Sequence, residues 1–280
     1  MNLEYCKPQT LEDLLAETRA GTHLMAGGTD LLVDMRSRKK TVQRIVDIKA
    51  IPELRGIRET KSGLEIGACE TFTALRESPL VAAWSPALRE CADVMGCHEI
   101  RHRATLGGNI CNSSPGCESG VVLSVHEAQV RIASTRGVRL VPFDTFATGV
   151  NRTCLEPDEV VLSIILPKAA DSLSFYRRIT RTAGMDLACW NGAALVLQPR
   201  IPAKRVVRIS FGTVMPTPYR PRAAEALLSR RPLTPADMDQ AYDLIIREIA
   251  PRAGSVRASP AEKKRAIRNF LDELLERLAP

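Results

Sequence analysis

TLGGNICNSSP, residues 105–115, sets a Gly-Gly pair among small hydroxyl and carboxamide side chains. Glycine carries no Cβ and admits positive φ, so such a loop lets main-chain amides converge on an oxyanion. AGGTD at 26–30 poses the same chemistry about eighty residues earlier. One pair alone reads as a turn. Two pairs, with the Thr29 and Thr105 hydroxyls and the Asn109 carboxamide beside them, read as two loops clasping a diphosphate-containing ligand. Neither is a G-x-x-x-x-G-K-S/T loop or a G-x-G-x-x-G fingerprint, so the nucleotide would need another fold.

Outward from these loops the pattern is mixed. HLMAGGTDLLVDM (23–35) is an apolar approach, a glycine turn and an apolar exit. Thr10 caps a predicted helix over 11–17, with Glu12 and Asp13 in its positive first turn. RIVDIKAI (44–51) and GLEIGA (63–68) predict strands, and 78–94 predicts one helix leading to the second glycine motif. QVRIAS and VRLVPF flank Thr135–Gly137 as a hairpin, and EVVLSIILP (159–167) is a buried strand. Pro167 and KAADS mark a boundary near residue 170, giving expected domains 1–169 and 170–280. Beyond it, SFYRRI, ACWNGAALVL and RVVRISFGTV predict three strands. Two helices follow, capped at Thr234-Pro235-Ala236-Asp237 and at the capping box Ser259-Pro260-Ala261-Glu262. In the last one Ile267, Phe270, Leu271, Leu274, Leu275 and Leu278 form one apolar stripe for packing on a sheet. The fold class is α+β.

Composition removes several function classes. Apolar residues at 45% and charged residues at 25% describe a chain able to bury a core, and no apolar run reaches membrane-spanning length. The N-terminus has no basic head and apolar core, so a cytoplasmic setting is expected, with the eight cysteines as reduced thiols. None forms a C-x-x-C pair, and the four between 91 and 117 lack the tight spacing of an iron–sulfur motif, so no metal ligand is assigned. The net charge of +7 suits an anionic ligand, while 4% aromatic content gives no stacking platform for nucleic acid. Arg36, Arg38, Lys39 and Lys40 read as a solvated face. No G-x-S-x-G elbow supports a hydrolase, and His98 and His102, four apart, read as the polar flank of the second loop.

AGGTDLLVDMR, EIRHRATLGGNICNSSP, PDEVVLSIILP and GTVMPTPYRPRAAEALL, in this order along the chain, resemble the FAD-binding medium subunit of the molybdenum hydroxylases. That is the xanthine dehydrogenase and carbon monoxide dehydrogenase family. The resemblance implies a vanillyl-alcohol-oxidase-like FAD-binding domain of two α+β subdomains, followed by a C-terminal α+β domain. It implies FAD as cofactor, its diphosphate held by Met25, Ala26, Gly27, Gly28, Thr29, Asp30 and Leu31 and by Thr105, Gly107, Gly108 and Asn109. Ile110 and Cys111 would lead toward the flavin, Val161 would contact the cofactor, a family aspartate falls on Glu118, and a flavin-side lysine falls on Arg177. An aromatic of some members aligns with Met95, and Asp186 matches a further acidic position. No insertion follows the second motif, where some relatives carry a 4Fe–4S cluster. No side chain is implied as a catalytic acid or base, because the cofactor carries the redox chemistry. The implied partners are a molybdenum-cofactor large subunit and a 2Fe–2S small subunit, in a dimer of heterotrimers, with NAD⁺ or another terminal acceptor. Access of that acceptor would depend on the loop around 176–185. The rivals are a self-sufficient FAD-dependent oxidoreductase and a flavin-free interaction scaffold.

Overall fold

The computed structural model describes residues 3–182 and 186–279. Three sheets, beside a small two-stranded pair Ala147–Gly149 and Arg152–Thr153, organise the described residues. The first is parallel, with the fully buried strand Arg44–Asp47 between Glu4–Cys6 and Thr22–Met25. Helix Leu11–Glu17 supplies the crossover; Thr10 caps it by accepting from the Asp13 amide at 3.1 Å, and Leu14 seats it in the core. The first glycine loop leaves the carboxyl end of Thr22–Met25, where parallel sheets place ligand-binding turns.

The second sheet is antiparallel, in the order Ile57–Thr60, Gly63–Gly67, Val160–Leu166, Gln129–Ser134, Gly137–Pro142. Its central strand Val160–Leu166 is buried throughout, which is why its sequence is continuously apolar rather than alternating. The expected single helix over 78–94 is two helices, Pro79–Trp84 and Pro86–Val94. Ser85 ends the first and caps the second through the Leu88 amide (3.1 Å), and Pro86 has no amide to continue the earlier ladder.

The third sheet, Ser172–Ile179, Trp190–Leu197 and Val206–Gly212, is antiparallel. Helices Arg222–Leu228, Pro235–Glu248 and Pro260–Leu278 cover one face, the last two with complete capping boxes. Phe175, Trp190, Phe211 and Phe270 meet between them with ring centroids 4.9–5.8 Å apart. Truncating a ring such as Phe270 to Ala would cost about 3–5 kcal/mol.

The other face of this sheet packs on helix Glu118–Val125, all eight residues of which are buried. Its sequence, ESGVVLSV, has no polar stripe because it has no side for solvent. Strand alternation settles what each residue of Ser172–Ile179 can reach. Phe175 packs among the C-terminal helices, whereas Tyr176 and its register partner Ala193 join the core of the preceding sheets.

Candidate functional site

The two glycine motifs face each other across a cleft of about 330 Å³. On one wall, Gly27 lies so close to the chain ahead of the second motif that a Cβ there would stand 2.0 Å from the Arg103 carbonyl oxygen. Gly28 then takes φ +73°, a left-handed conformation that costs side-chain-bearing residues energy. Helix Leu31–Arg36 follows, with Asp30 in the N-cap position. An N-cap aspartate ordinarily accepts from the first-turn amides. Asp30 does not, since its backbone is α-helical (φ −99°, ψ −49°) and its side chain makes no capping bond. Among the described residues, no acceptor takes the amides of Gly27, Gly28, Thr29, Asp30 or Leu31. Five consecutive donors are therefore uncommitted within the described residues.

The second wall works differently. Its amides are already spent: Leu106 on the Glu70 carbonyl, Gly107 on that of Ala68 and Asn109 on that of Thr105, each at 2.9 Å. The Gly108 amide bonds to the Thr105 hydroxyl at 3.1 Å. Gly107 is glycine for packing, because a Cβ would lie 2.7 Å from Ala68. What this wall offers is side chains. The Thr105 hydroxyl, having accepted from Gly108, keeps a proton to donate. Asn109 accepts from Ser119 (2.6 Å) and Cys117 (3.1 Å) on its Oδ1, which leaves its amide nitrogen as the donor end.

Apolar Ile48, Leu155, Val160 and Val161 complete the cleft. Lys40 stands at it, 3.4 Å from Asp34, and Glu159 is held by Arg139 through bonds of 2.6 and 2.7 Å. That guanidinium keeps the Glu159 carboxyl below its ordinary range. Desolvation, with the nearby Asp34 charge, pushes Asp30 upward against the pull of Lys40. His23, on the same wall, has a buried Nδ1 with no partner among the described residues.

Of the residues singled out from sequence, Met25, Ala26, Gly27, Gly28, Thr29, Asp30, Leu31, Thr105, Gly107, Gly108, Asn109, Cys111 and Val161 all line this cleft. Three do not. Ile110 points into the core, 1% exposed, on the opposite side of its helix from the cleft. Glu118 is buried against the C-terminal sheet, accepting from the Tyr176 hydroxyl at 2.5 Å and from Arg178 at 3.1 Å. Burial raises its carboxyl, and Tyr176 and Arg178 pull it back. Arg177 turns the other way, forming a two-pronged pair with Glu273 (2.9 and 2.6 Å). The reason is strand parity: Arg177 shares the Phe175 face, and Arg178 shares the Tyr176 face toward Glu118. Met95 is buried in the core, and Asp186 bonds locally to the Arg181 and Leu187 amides. The supposed loop over 176–185 is strand as far as Ile179, and residues 183–185 lie outside the described residues.

Sequence reasoning missed His23, Lys40, Ile48 and Glu159. Lys40 belongs to the basic run that reads as a solvated face, and its exposed side chain borders the cleft as well. Glu159 opens the apolar run already read as a strand, so position beside Val160 was its available signal.

Residues 1–169 match the family described as the FAD binding domain in molybdopterin dehydrogenase, and residues 174–278 match the CO dehydrogenase flavoprotein C-terminal domain. The chain belongs to the FAD-binding medium subunits of the xanthine dehydrogenase and CO dehydrogenase family. Within this family it is 32% identical to the xanthine dehydrogenase FAD-binding subunit of Escherichia coli O157:H7, over 97% of this chain and 94% of that one. Identity to the carbon monoxide dehydrogenase medium chain of Hydrogenophaga pseudoflava is 32%, over 89% and 87%. The structure of Hydrogenophaga pseudoflava carbon monoxide dehydrogenase lacking the Mo-pyranopterin moiety of its cofactor superposes with a TM-score of 0.91 at 31% identity, covering 98% of this chain and 96% of that one. A medium subunit of this family takes FAD, and the cleft fits it: uncommitted amides and hydroxyls suit a diphosphate, and apolar walls suit ring systems. No helix among the described residues is long and apolar enough to cross a membrane.

Proposed function

We propose that this chain holds FAD in the cleft between its two glycine motifs and relays electrons within a molybdenum-dependent hydroxylase. The observation that carries this reading is the run of five amides, Gly27–Leu31, with no acceptor among the described residues, opening on the cleft. These amides bind the diphosphate, and the Thr105 hydroxyl and the Asn109 amide nitrogen close on it from the second wall. Val160, Val161 and Leu155 exclude water from the apolar parts of the cofactor. Bound FAD supplies the redox chemistry, accepting and passing on electrons. The protein orients and insulates it, and no side-chain acid or base takes part in the chemistry.

Electrons reach the flavin from 2Fe–2S clusters of a small subunit, which receives them from a large subunit carrying the molybdenum cofactor. They leave to NAD⁺ or another acceptor, and the assembly is a dimer of heterotrimers in the cytoplasm. Support for partners comes from the relatives, which are named as FAD subunits or medium chains of dehydrogenases. We further divide the chain near residue 170, between the last strand of the second sheet and the first of the third.

The test is the visible spectrum of the chain purified with and without co-expressed partners, followed by chromatography of the acid-released cofactor. Release of FAD is expected. A folded chain that takes up FMN as readily as FAD, or neither, would overturn the diphosphate-clasp reading.

A further inference from the structure

His98-Glu99-Ile100-Arg101-His102 spells H-E-x-x-H, a spacing read above only as a loop flank. Residues four apart on a helix lie one turn apart on one face, so two such histidines can turn both imidazoles toward one point. The stretch folds as the helical turn His98–Arg101, and the His102 amide continues it by bonding to the His98 carbonyl at 3.1 Å. The rings meet edge to face at 90° with centroids 4.2 Å apart, and their Nε2 atoms face each other at 2.8 Å. An ion bound through both nitrogens at about 2.0–2.1 Å, with an angle between about 90° and 110°, needs them about 2.9–3.4 Å apart. In the metal-free chain this contact is a hydrogen bond between the two rings; metal binding would break it and turn both exposed rings to open the gap to that range. Both side chains are exposed, so water can fill the remaining positions.

We propose that His98 and His102 form a two-histidine chelating site for a divalent first-row transition ion of the imidazole-preferring kind, such as nickel, copper or zinc. The site is separate from the flavin cleft and does not rest on the flavin reading. It is not a peptidase centre. Such centres take a third protein ligand as well as a glutamate beside the metal. Among the described residues no group of three or more His, Cys, Asp or Glu could hold a metal. The chemistry this leaves is binding, with coordination positions open to water.

The test uses the full-length flavoprotein after chelator treatment, titrated with Ni²⁺ alone by equilibrium dialysis, beside His98→Gln, His102→Gln, the double variant and Glu99→Gln. All three positions are exposed, so circular dichroism should show unchanged folding. One Ni²⁺ per chain is expected, weakened at least about tenfold by either histidine change and unaffected by Glu99→Gln. With Cu²⁺ as a second probe, electron paramagnetic resonance should show coupling to two nitrogens, and to one or none in the single variants. Failure of the wild-type chain to bind Ni²⁺ would overturn the proposal. So would binding that survives in the double variant, which would place the ion on thiols or elsewhere.

Discussion

Acidification should weaken this fold through one histidine that touches neither the cleft nor the surface. His126 is 2% exposed, and its Nε2 lies 2.8 Å from the Ser85 hydroxyl that caps helix Pro86–Val94. Ser85 already accepts the Leu88 amide at 3.1 Å, so its own proton goes to a neutral imidazole. Burial first, and the Arg208 charge second, push His126 down to about 4 from an ordinary 6.5. The unfolded chain takes this proton below about pH 6.5, and the folded chain refuses it until near pH 4. The contribution is therefore complete above pH 6.5 and is lost as pH falls toward 4, about 3 kcal/mol in all from 2.5 pH units. Between pH 7 and pH 5 the loss is about 2 kcal/mol. Urea unfolding of wild type and His126→Gln at both pH values, with equal FAD, isolates this group, because every other titrating residue is common to both proteins. His126→Gln should be less stable at pH 7 yet lose about 2 kcal/mol less on going to pH 5. Equal losses in the two proteins, or an NMR titration showing His126 protonated in the native state above pH 5.5, would refute the reasoning.

Substitutions at four further positions probe the site and the frame behind it. Gly27→Ala should destabilise the chain by about 1–3 kcal/mol and lower its flavin content, since the new carbon meets the Arg103 carbonyl; unchanged flavin stoichiometry would show that the two motifs are not in contact. Thr105→Ala should cost about 1 kcal/mol in chemical denaturation and weaken FAD retention, with Thr105→Ser restoring both; a serine variant no better than alanine would count against a role for the hydroxyl. Glu118→Ala should cost about 3 kcal/mol by taking the buried carboxylate from Arg178, whose side chain is only 10% exposed. Arg177→Ala, in a pair about 40% exposed on the arginine side, should cost less than about 1 kcal/mol. Similar losses for the two would mean that strand parity had been misassigned.

Local chemistry was legible in the sequence; the direction of side chains often was not. Both capping boxes, at Thr234 and Ser259, could be read because a cap depends on residues three apart and on nothing distant. The Ser-Pro break at 85–86 carried the same signal as Ser259-Pro260 but lay inside a helical apolar pattern that outweighed it. The glycine pairs announced a site, yet their division of labour depends on which amides Ala68 and Glu70 claim, contacts made across the fold. Arg177 turns to Glu273 and Arg178 to Glu118, a direction no motif carries, because a motif fixes position along the chain while the strand alternates faces at every step. His23 reaches the cleft from the strand Thr22–Met25, and Lys40 from the turn after helix Leu31–Arg36, where its amide bonds to the Asp34 carbonyl; no local pattern reports that either side chain meets the cleft.

Helix Glu118–Val125 follows both glycine motifs in sequence but is roofed by the C-terminal sheet. The seam between family domains along the chain therefore differs from the seam through the packed interior. A fragment ending at residue 169 would carry this helix with one side stripped to water, and the remaining fragment would bare the sheet face containing Tyr176, Ala193 and Leu195. Recombination between relatives faces the same constraint. A functional hybrid must inherit helix and sheet face from one parent, so the two domains can be exchanged as genes only if this interface travels intact.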